Sequence, residues 1–524
     1  MKTLSCRFTI GAMNGSKHAG IAALVLLLTT LAAAAEERPH VTAEQVATAV
    51  AELDALAAKQ NAVPGFAVAV VFQDKAVYAK GFGVRDVNGK APVNADTVFQ
   101  LASVSKPIGA TVVAAFVGDG KITWDSRLNE LDSTFVMFDS WVTHEVTIRD
   151  MYAHRSGLPD HAGDLLEDLG FTRAEILRRL RYQHPDSSFR SHYAYTNFGL
   201  TAAAVAAAKA YGMEWETASE GKLYKPLGMT STSSRHSDFV GRANKALGHV
   251  LVSGKWAQKF QRDPDTEAPA GGVSSSVNDL TKWMRLELAN GKFEGKTIVD
   301  EKALLEARRP HMLTGYNPFT GMPTSYGLGW NVSYDDHGRL HLNHSGAFDL
   351  GVATYVHLLP GEQLGIVVLT NAYPIGFAEA LGTTFVDLAL YGRSTEDWFA
   401  LYKKVFSNPA VLGLSPGFDY TKAAASPAPA LKPEAYTGTY QNDFFGEISI
   451  NEQGGALAMI IGPRNKSFPL QHYDRDTFTY QTEGENAVGL SGVTFTVGAD
   501  GKATEMSVEN LNIHGEGTFK RRPR

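Results

Sequence analysis

The sequence predicts an α+β fold: an antiparallel sheet flanked by helices, with a helical subdomain inserted into it, followed by a small all-β barrel. Three observations carry this. β-Branched and aromatic runs stand at both ends of the segment 41–400, with helical periodicity and polar loops between them. A Pro/Ala-rich break (AAASPAPAL) covers 423–431. Beyond it come only short alternating runs separated by Gly- and Asn-containing turns.

The chain has 524 residues, which at about 150 per domain suggests about three domains. With 44% hydrophobic residues it can bury a large core, which excludes a disordered or fibrous chain. A net charge of −6 without any Lys/Arg-rich block argues against a nucleic-acid partner.

Residues 1–35 read as an export signal. Lys2, Arg7 and Lys17 are their only charges, 21–31 is apolar, and Ala33-Ala34-Ala35 precedes Glu36. Cleavage after Ala35 would deliver a periplasmic or secreted protein and remove Cys6, the only cysteine, so no disulfide is expected. An uncleaved segment would instead anchor the chain to a membrane. After Pro39, 41–60 has apolar positions at helical spacing. Runs 66–72 and 76–84 form a hairpin across Gln73-Asp74-Lys75. Residues 103–117 turn helical and stop at Gly118. Strands return at 326–330, 341–343, 351–358 and 364–369, and 377–390 is helical again. The expected organisation is a signal (1–35), a main domain (41–400), a linker (401–431) and the barrel (432–524), whose strands lie at 436–440, 447–450, 456–461, 478–481, 494–497 and 504–509.

Several common chemical signals fail. The one G-x-S-x-G match, Gly413-Leu414-Ser415-Pro416-Gly417, puts a proline where an oxyanion N–H is needed, and no helix follows. No H-E-x-x-H occurs, and His341 and His344 in one strand point to opposite faces. Gly295-Lys296-Thr297 lacks the first glycine of a phosphate loop, since residue 290 is Asn. Nothing indicates a cofactor or metal.

What remains is Ser103-Val104-Ser105-Lys106 at the start of a helix. This spacing puts serine and lysine on one face within a turn, where a desolvated lysine can activate the hydroxyl. Pro107 is tolerated because it lies in or next to the first turn. The pattern alone is weak. Ser219-Glu220-Gly221-Lys222 matches it equally, and its flanking charges read as the solvated face of a helix. Context separates them: Ser103 stands between Val98-Phe99 and an Ala/Val-rich helix, and is followed in order by Tyr195-Thr196-Asn197 and His344-Ser345-Gly346.

With these three motifs the sequence resembles the penicillin-recognising serine hydrolases, specifically the class C β-lactamase-like group of β-lactamases, D-stereospecific peptidases, penicillin-binding proteins and esterases. The resemblance spans about 45–390. It includes Phe99-Gln100-Leu101-Ala102, Thr147-Ile148-Arg149-Asp150, His154-Arg155-Ser156-Gly157-Leu158-Pro159, Pro226-Leu227-Gly228-Met229, Pro269-Ala270-Gly271-Gly272-Val273 and Tyr326-Gly327-Leu328-Gly329-Trp330. The tail resembles a lipocalin-like β-barrel module. The resemblance implies that Ser103 forms an acyl-enzyme and that Lys106 and Tyr195 act as a coupled base. Because a free tyrosine titrates near about 10, a base role for Tyr195 requires an ammonium that favours the phenolate. Asn197 would bind the substrate amide or orient Lys106. His344, Ser345, Gly346 and Ala347 would form the substrate edge, with the N–H groups of Ser103 and Ala347 as the oxyanion hole.

The third motif departs from Lys-Thr-Gly, the form found in efficient class C β-lactamases. Here a permanent ammonium is replaced by His344, neutral at pH 7 unless its pKa is raised. Ester, amide or D-amino-acid peptide cleavage is therefore expected ahead of strong penicillinase activity, with a small-molecule or peptide substrate and a cell-wall peptide among the candidates. A cell-wall recognition module with little turnover, and a tethered interaction protein working through its barrel, are the competing readings.

Overall fold

The computed structural model describes residues 40–317, 321–408 and 417–523. The expected signal at 1–35, with Cys6, lies outside the described residues, as do Gly413 to Pro416 of the G-x-S-x-G match.

Helix α1 (Ala43–Ala57) starts where Thr42 and Gln45 form a reciprocal capping box. The main sheet then opens with the expected hairpin, β1 (Gly65–Phe72) and β2 (Lys75–Gly83). After the helical insertion it is completed by β3 (Met312–Tyr316), β4 (Pro323–Tyr326), β5 (Asn331–Tyr334), β6 (Leu340–Phe348), β7 (Val352–Leu359) and β8 (Leu364–Thr370). Its order is β2-β1-β8-β7-β6-β5-β4-β3, antiparallel throughout. The β1–β8 pairing joins chain segments from opposite ends of the domain, as the sequence predicted.

Period-two alternation gives the sheet two buried faces. Phe66, Val68, Val70 and Phe72 pack with α1 and α5 (Phe377–Tyr391) on one side. Ala67, Ala69 and Val71 face the other side, where α2 (Ser105–Gly118), α3 (Asn197–Ala210) and α4 (Val277–Leu288) build the large core. Of these, α2 and α3 are buried almost all round, which matches their Ala/Val-rich sequences.

Three expectations are corrected. The run Tyr326 to Trp330 is not one strand: β4 ends at Tyr326 and a bend follows. The bend needs its glycines, since a Cβ on Gly327 would lie 2.4 Å from Ala307 O, and one on Gly329 (φ +81) 2.8 Å from Lys106 O. Ser219 is not on a solvated face. It is fully buried and donates to Trp215 O at 2.8 Å, while Lys222 pairs with Asp119. Finally, the segment expected as linker begins inside a helix, α6 (Trp398–Phe406), whose Phe399 packs on Phe377 of α5.

The tail folds as nine strands: β9 (Gly438–Asn442), β10 (Gly446–Gln453), β11 (Ala456–Ile461), β12 (Lys466–Pro469), β13 (Gln471–Asp474), β14 (Thr477–Gln481), β15 (Leu490–Val497), β16 (Ala503–Val508) and β17 (Thr518–Arg521). Their order is β12-β11-β10-β9-β17-β16-β15-β14-β13. The two outermost strands are consecutive in sequence, separated only by Leu470, so the sheet curls into a nearly closed barrel. The barrel is not a free appendage. Arg179 donates to the carbonyls of Asp443 and Phe444, and the barrel core is continuous with the core of the main domain.

Candidate active site

Ser103 lies in a single 3-10 turn (Ala102–Val104) that runs directly into α2. The turn is fixed from two sides. Leu101 N donates to Val273 O at 2.8 Å, Val273 N donates to Ser105 Oγ at 3.0 Å, and Thr354 Oγ1 donates to Leu101 O at 2.6 Å. Ala102, just before the serine, takes φ +47, a left-handed value uncommon for a residue with a Cβ. Pro107 falls in the first turn of α2, where its missing N–H has no intrahelical acceptor to lose.

Lys106 is fully buried, and its ammonium has three acceptors: Ser103 Oγ at 3.0 Å, Asn197 Oδ1 at 2.7 Å and Ala270 O at 3.1 Å. Burial pulls its pKa down to about 7, against the opposing pull of Glu267 and Asp164. Lys106 Nζ also lies 4.5 Å from the centre of the Tyr195 ring. The Tyr195 hydroxyl hydrogen-bonds Ser103, yet burial dominates and pushes its pKa well above 10. Asn197 opens α3 and donates through Nδ2 to Asp164 Oδ2 at 2.8 Å, leaving its carbonyl oxygen turned to Lys106.

On the opposite wall runs β6. Its pairing with β5 stops at Asn343, so the stretch from His344 onward keeps only β7 as a strand neighbour. Gly346 brings that backbone against the nucleophile turn: a Cβ there would lie 2.3 Å from Leu101 O and 3.0 Å from Ser103 N. His344 is buried, with Nδ1 2.6 Å from Ser345 O and Nε2 2.8 Å from the Tyr326 hydroxyl. A carbonyl can only accept, so Nδ1 carries the proton and Nε2 accepts from Tyr326. Burial and the nearby Lys106 charge lower its pKa to about 3, so the ring is neutral at pH 7.

The cavity above Ser103 has a volume of about 460 Å³. Asp160, Asp164, Glu267, Asp349 and Glu485 line it with a single guanidinium, Arg262. Arg262 pairs with Glu167 at 2.6 Å, Glu267 at 2.9 Å and Glu485 at 3.3 Å. Asp164 Oδ1 and Glu267 Oε2 are buried acceptors without a hydrogen-bond partner among the described residues.

Residues 46–391 match the family described as beta-lactamase. The chain belongs to the beta-lactamase family. Residues 422–521 match a second family, described as a domain of unknown function (DUF3471). The beta-lactamase-family chain is similar to an unguisins hydrolase of Aspergillus campestris, 25% identical over 85% of this chain and 86% of that one. It is 27% identical to penicillin-binding protein 4 of Amycolatopsis lactamdurans, over 61% of this chain and 83% of that one. In fold it is similar to the octameric penicillin-binding protein homologue from Pyrococcus abyssi, with a TM-score of 0.55 and 18% identity, over 91% of this chain and 99% of that one.

Within this beta-lactamase-family domain the structure brings Ser103, Lys106, Tyr195 and Asn197 into one hydrogen-bonded group, with His344, Ser345 and Ala347 across the cavity. Gly346 is a spacer between two backbones. Sequence reasoning missed the acceptors behind Asn197 and Lys106 (Asp164 and Glu267), the Tyr326 partner of His344, and His154, whose Nδ1 accepts from Thr196 N at 3.1 Å and whose ring packs 4.6 Å from that of Tyr195. His154 and Tyr326 stood in recognised landmark runs without a role. It also missed Phe406 of α6 and Glu485 and Asn486 of the barrel, all of which line the cavity.

Proposed function

We propose that the chain is an exported serine hydrolase that cleaves ester or amide bonds through an acyl-enzyme on Ser103. The observation that carries this is the 3.0 Å contact between Ser103 Oγ and a lysine whose charged form is disfavoured by burial. In the neutral form, Lys106 Nζ takes the Ser103 proton as Oγ bonds to the substrate carbonyl carbon. The resulting oxyanion is met by the N–H groups of Ser103 and Ala347. Collapse expels the leaving group, which takes a proton from Lys106, directly or through the Tyr195 hydroxyl. Water then attacks the ester, and the same groups run the transfer in reverse. The sequence implied a coupled Lys106–Tyr195 base with a phenolate; burial raises the Tyr195 pKa instead, so in this reading Tyr195 is the relay and Lys106 the base.

The cavity also bears on substrate class. A neutral His344 offers no cation for a carboxylate, and the lining sets five acidic side chains, of which burial pushes Glu267, Asp349 and Glu485 up to about 7, against one arginine. Uncharged or amine-bearing acyl groups, including those of peptides, fit this better than penicillins. Similarity over most of its length to a hydrolase favours turnover over mere recognition.

The deciding experiment is turnover of a short-chain nitrophenyl ester and of D-amino-acid nitroanilides by the wild type and by Ser103→Ala. Loss of both activities in the variant supports the reading, and equal activity in both proteins would sink it. Slow stoichiometric acylation of Ser103 without release would favour a recognition protein. N-terminal sequencing of the exported product tests cleavage after Ala35.

A further inference from the structure

The loop between β14 and β15 leaves the barrel and enters the wall of the cavity. Its neck is closed by Thr482, which donates to Gly489 O through N (2.9 Å) and Oγ1 (2.8 Å). Its tip wraps around a carboxylate of the main domain: Glu485 N donates to Asp168 Oδ1 at 2.9 Å, and Asn486 N and Nδ2 both donate to Asp168 Oδ2 at 2.9 Å. Gly484 (φ +110) makes this wrap possible, since a Cβ there would lie 2.4 Å from Asp168 Oδ1.

Held this way, the Glu485 side chain reaches the turn between β6 and β7. Its Oε1 accepts from Asp349 N at 2.7 Å, its Oε2 accepts from Leu350 N at 3.3 Å, and Arg262 Nη1 stands 3.3 Å from Oε1. Arg262 in turn lies over the Phe348 ring, 4.2 Å from its centre. The clamped turn begins at Asp349, two residues beyond Ala347, whose N–H the proposed mechanism uses.

We propose that Glu485 is a positioning residue for the Ser103 site: by accepting the Asp349 and Leu350 N–H groups, a barrel carboxylate fixes the end of β6 and so the Ala347 N–H that meets the oxyanion. The barrel thereby completes the active site of the domain before it. The inference rests on the Ser103 reading. A donor that acts on the tetrahedral state alone is worth a change in kcat rather than in substrate binding, and small displacements of such a group cost activity steeply. Glu485 itself touches no reacting atom.

The test compares wild type, Glu485→Ala, Glu485→Gln, Asp168→Asn and Ser103→Ala on one nitrophenyl ester, with a thermal midpoint for each protein. Glu485→Ala is expected to lose about ten- to hundredfold in kcat with KM changed less than about twofold. Glu485→Gln keeps an oxygen for Asp349 N and should recover most of that loss. Asp168→Asn, which loosens the loop at a separate contact, should lower kcat in the same direction. If Glu485→Ala does not fold, the last two variants decide: a kcat loss in Asp168→Asn together with near-native Glu485→Gln supports the proposal. Wild-type kcat in Glu485→Ala, equal losses in the Ala and Gln variants, or a rise in KM at unchanged kcat overturns it. Residual wild-type activity in Ser103→Ala is a separate result, because it removes the Ser103 reading and leaves the loop contacts as architecture.

Discussion

The Lys106 ammonium donates to Ser103 Oγ across 3.0 Å inside a cage that excludes water from the lysine entirely. Burial lowers the pKa of Lys106 to about 7, and only the neutral amine can accept the serine proton. The sign follows directly: kcat/KM should rise with pH through about 7 and level off above it, because acid restores the inactive ammonium. Lys106→Arg keeps the positive charge but cannot become neutral, so it should lose about 10²–10⁴-fold at every pH. A pH–rate profile for the wild type with single-pH assays of the variant checks both statements. A flat profile between pH 5 and 9 would remove Lys106 as the base.

Gly346 should tolerate no side chain. Its Cβ would meet Leu101 O and Thr354 Oγ1 at 2.3 Å each and Ser103 N at 3.0 Å. Backbone and a bonded hydroxyl cannot both retreat, so β6 would shift away from the nucleophile turn. Gly346→Ala should cost about 10²-fold in kcat, as expected for a displacement near 1 Å. The substituted residue borders both strand and turn, so the thermal midpoint should also fall, and a crystal structure of the variant would show the wider gap.

His344 separates substrate classes. Its imidazole is neutral across the physiological range, because burial and Lys106 hold its pKa at about 3. Its protonation should therefore leave the binding of a carboxylate-bearing β-lactam unchanged between pH 5 and 8. His344→Lys would add a cation at this wall and should lower KM for such a compound, relative to that for a neutral ester, by about tenfold. The new ammonium would also repel the Lys106 charge, moving the acid limb of the pH profile to lower pH. An unchanged ratio of the two KM values would show that the carboxylate does not reach this edge.

The chemistry was legible where it sits in contiguous runs and illegible where the fold assembles it. Ser103 and Lys106 share a helical turn, and Tyr195 and Asn197 share a loop-to-helix entry, so short spacing exposed them. Asp164 opens a short helix and Glu267 ends a separate 3-10 turn, and the two belong to the site because the fold brings both to Lys106 and Asp164 to Asn197. Glu485 lies in another domain, and nothing about its neighbours in sequence points to Arg262. Ser219 was misread because its charged neighbours point outward while the serine itself turns inward to Trp215 O. The Tyr326 to Trp330 bend looked like a strand because its apolar residues are all buried, and only the close backbone contacts at Gly327 and Gly329 distinguish it. In the barrel, β12, β13 and β17 were missed since each has only four residues and little alternation.

Asp150 holds the segment leading to Tyr195, and its loss should be among the most damaging changes outside the cavity. It is fully buried, and its carboxylate accepts from Arg155 Nε at 2.8 Å, Arg190 Nε at 2.9 Å, Arg190 Nη2 at 2.8 Å and Thr147 Oγ1 at 2.8 Å. Burial opposes its charge, but the bonds to Arg190, Thr147 and Arg155 outweigh burial and hold its pKa below the usual carboxylate value. A depressed folded-state pKa means that its contribution is fully present above the unfolded pKa of about 3.9 and lost as pH falls through the folded value. Asp150→Ala strands the partly buried Arg155 and should destabilise the fold by about 3–5 kcal/mol at pH 7. The gap between wild type and variant should narrow as the pH is lowered below about 4. Urea unfolding at pH 7 and pH 3 measures both numbers, and a gap that stays constant between the two would show that the ionised carboxylate is not what holds this segment.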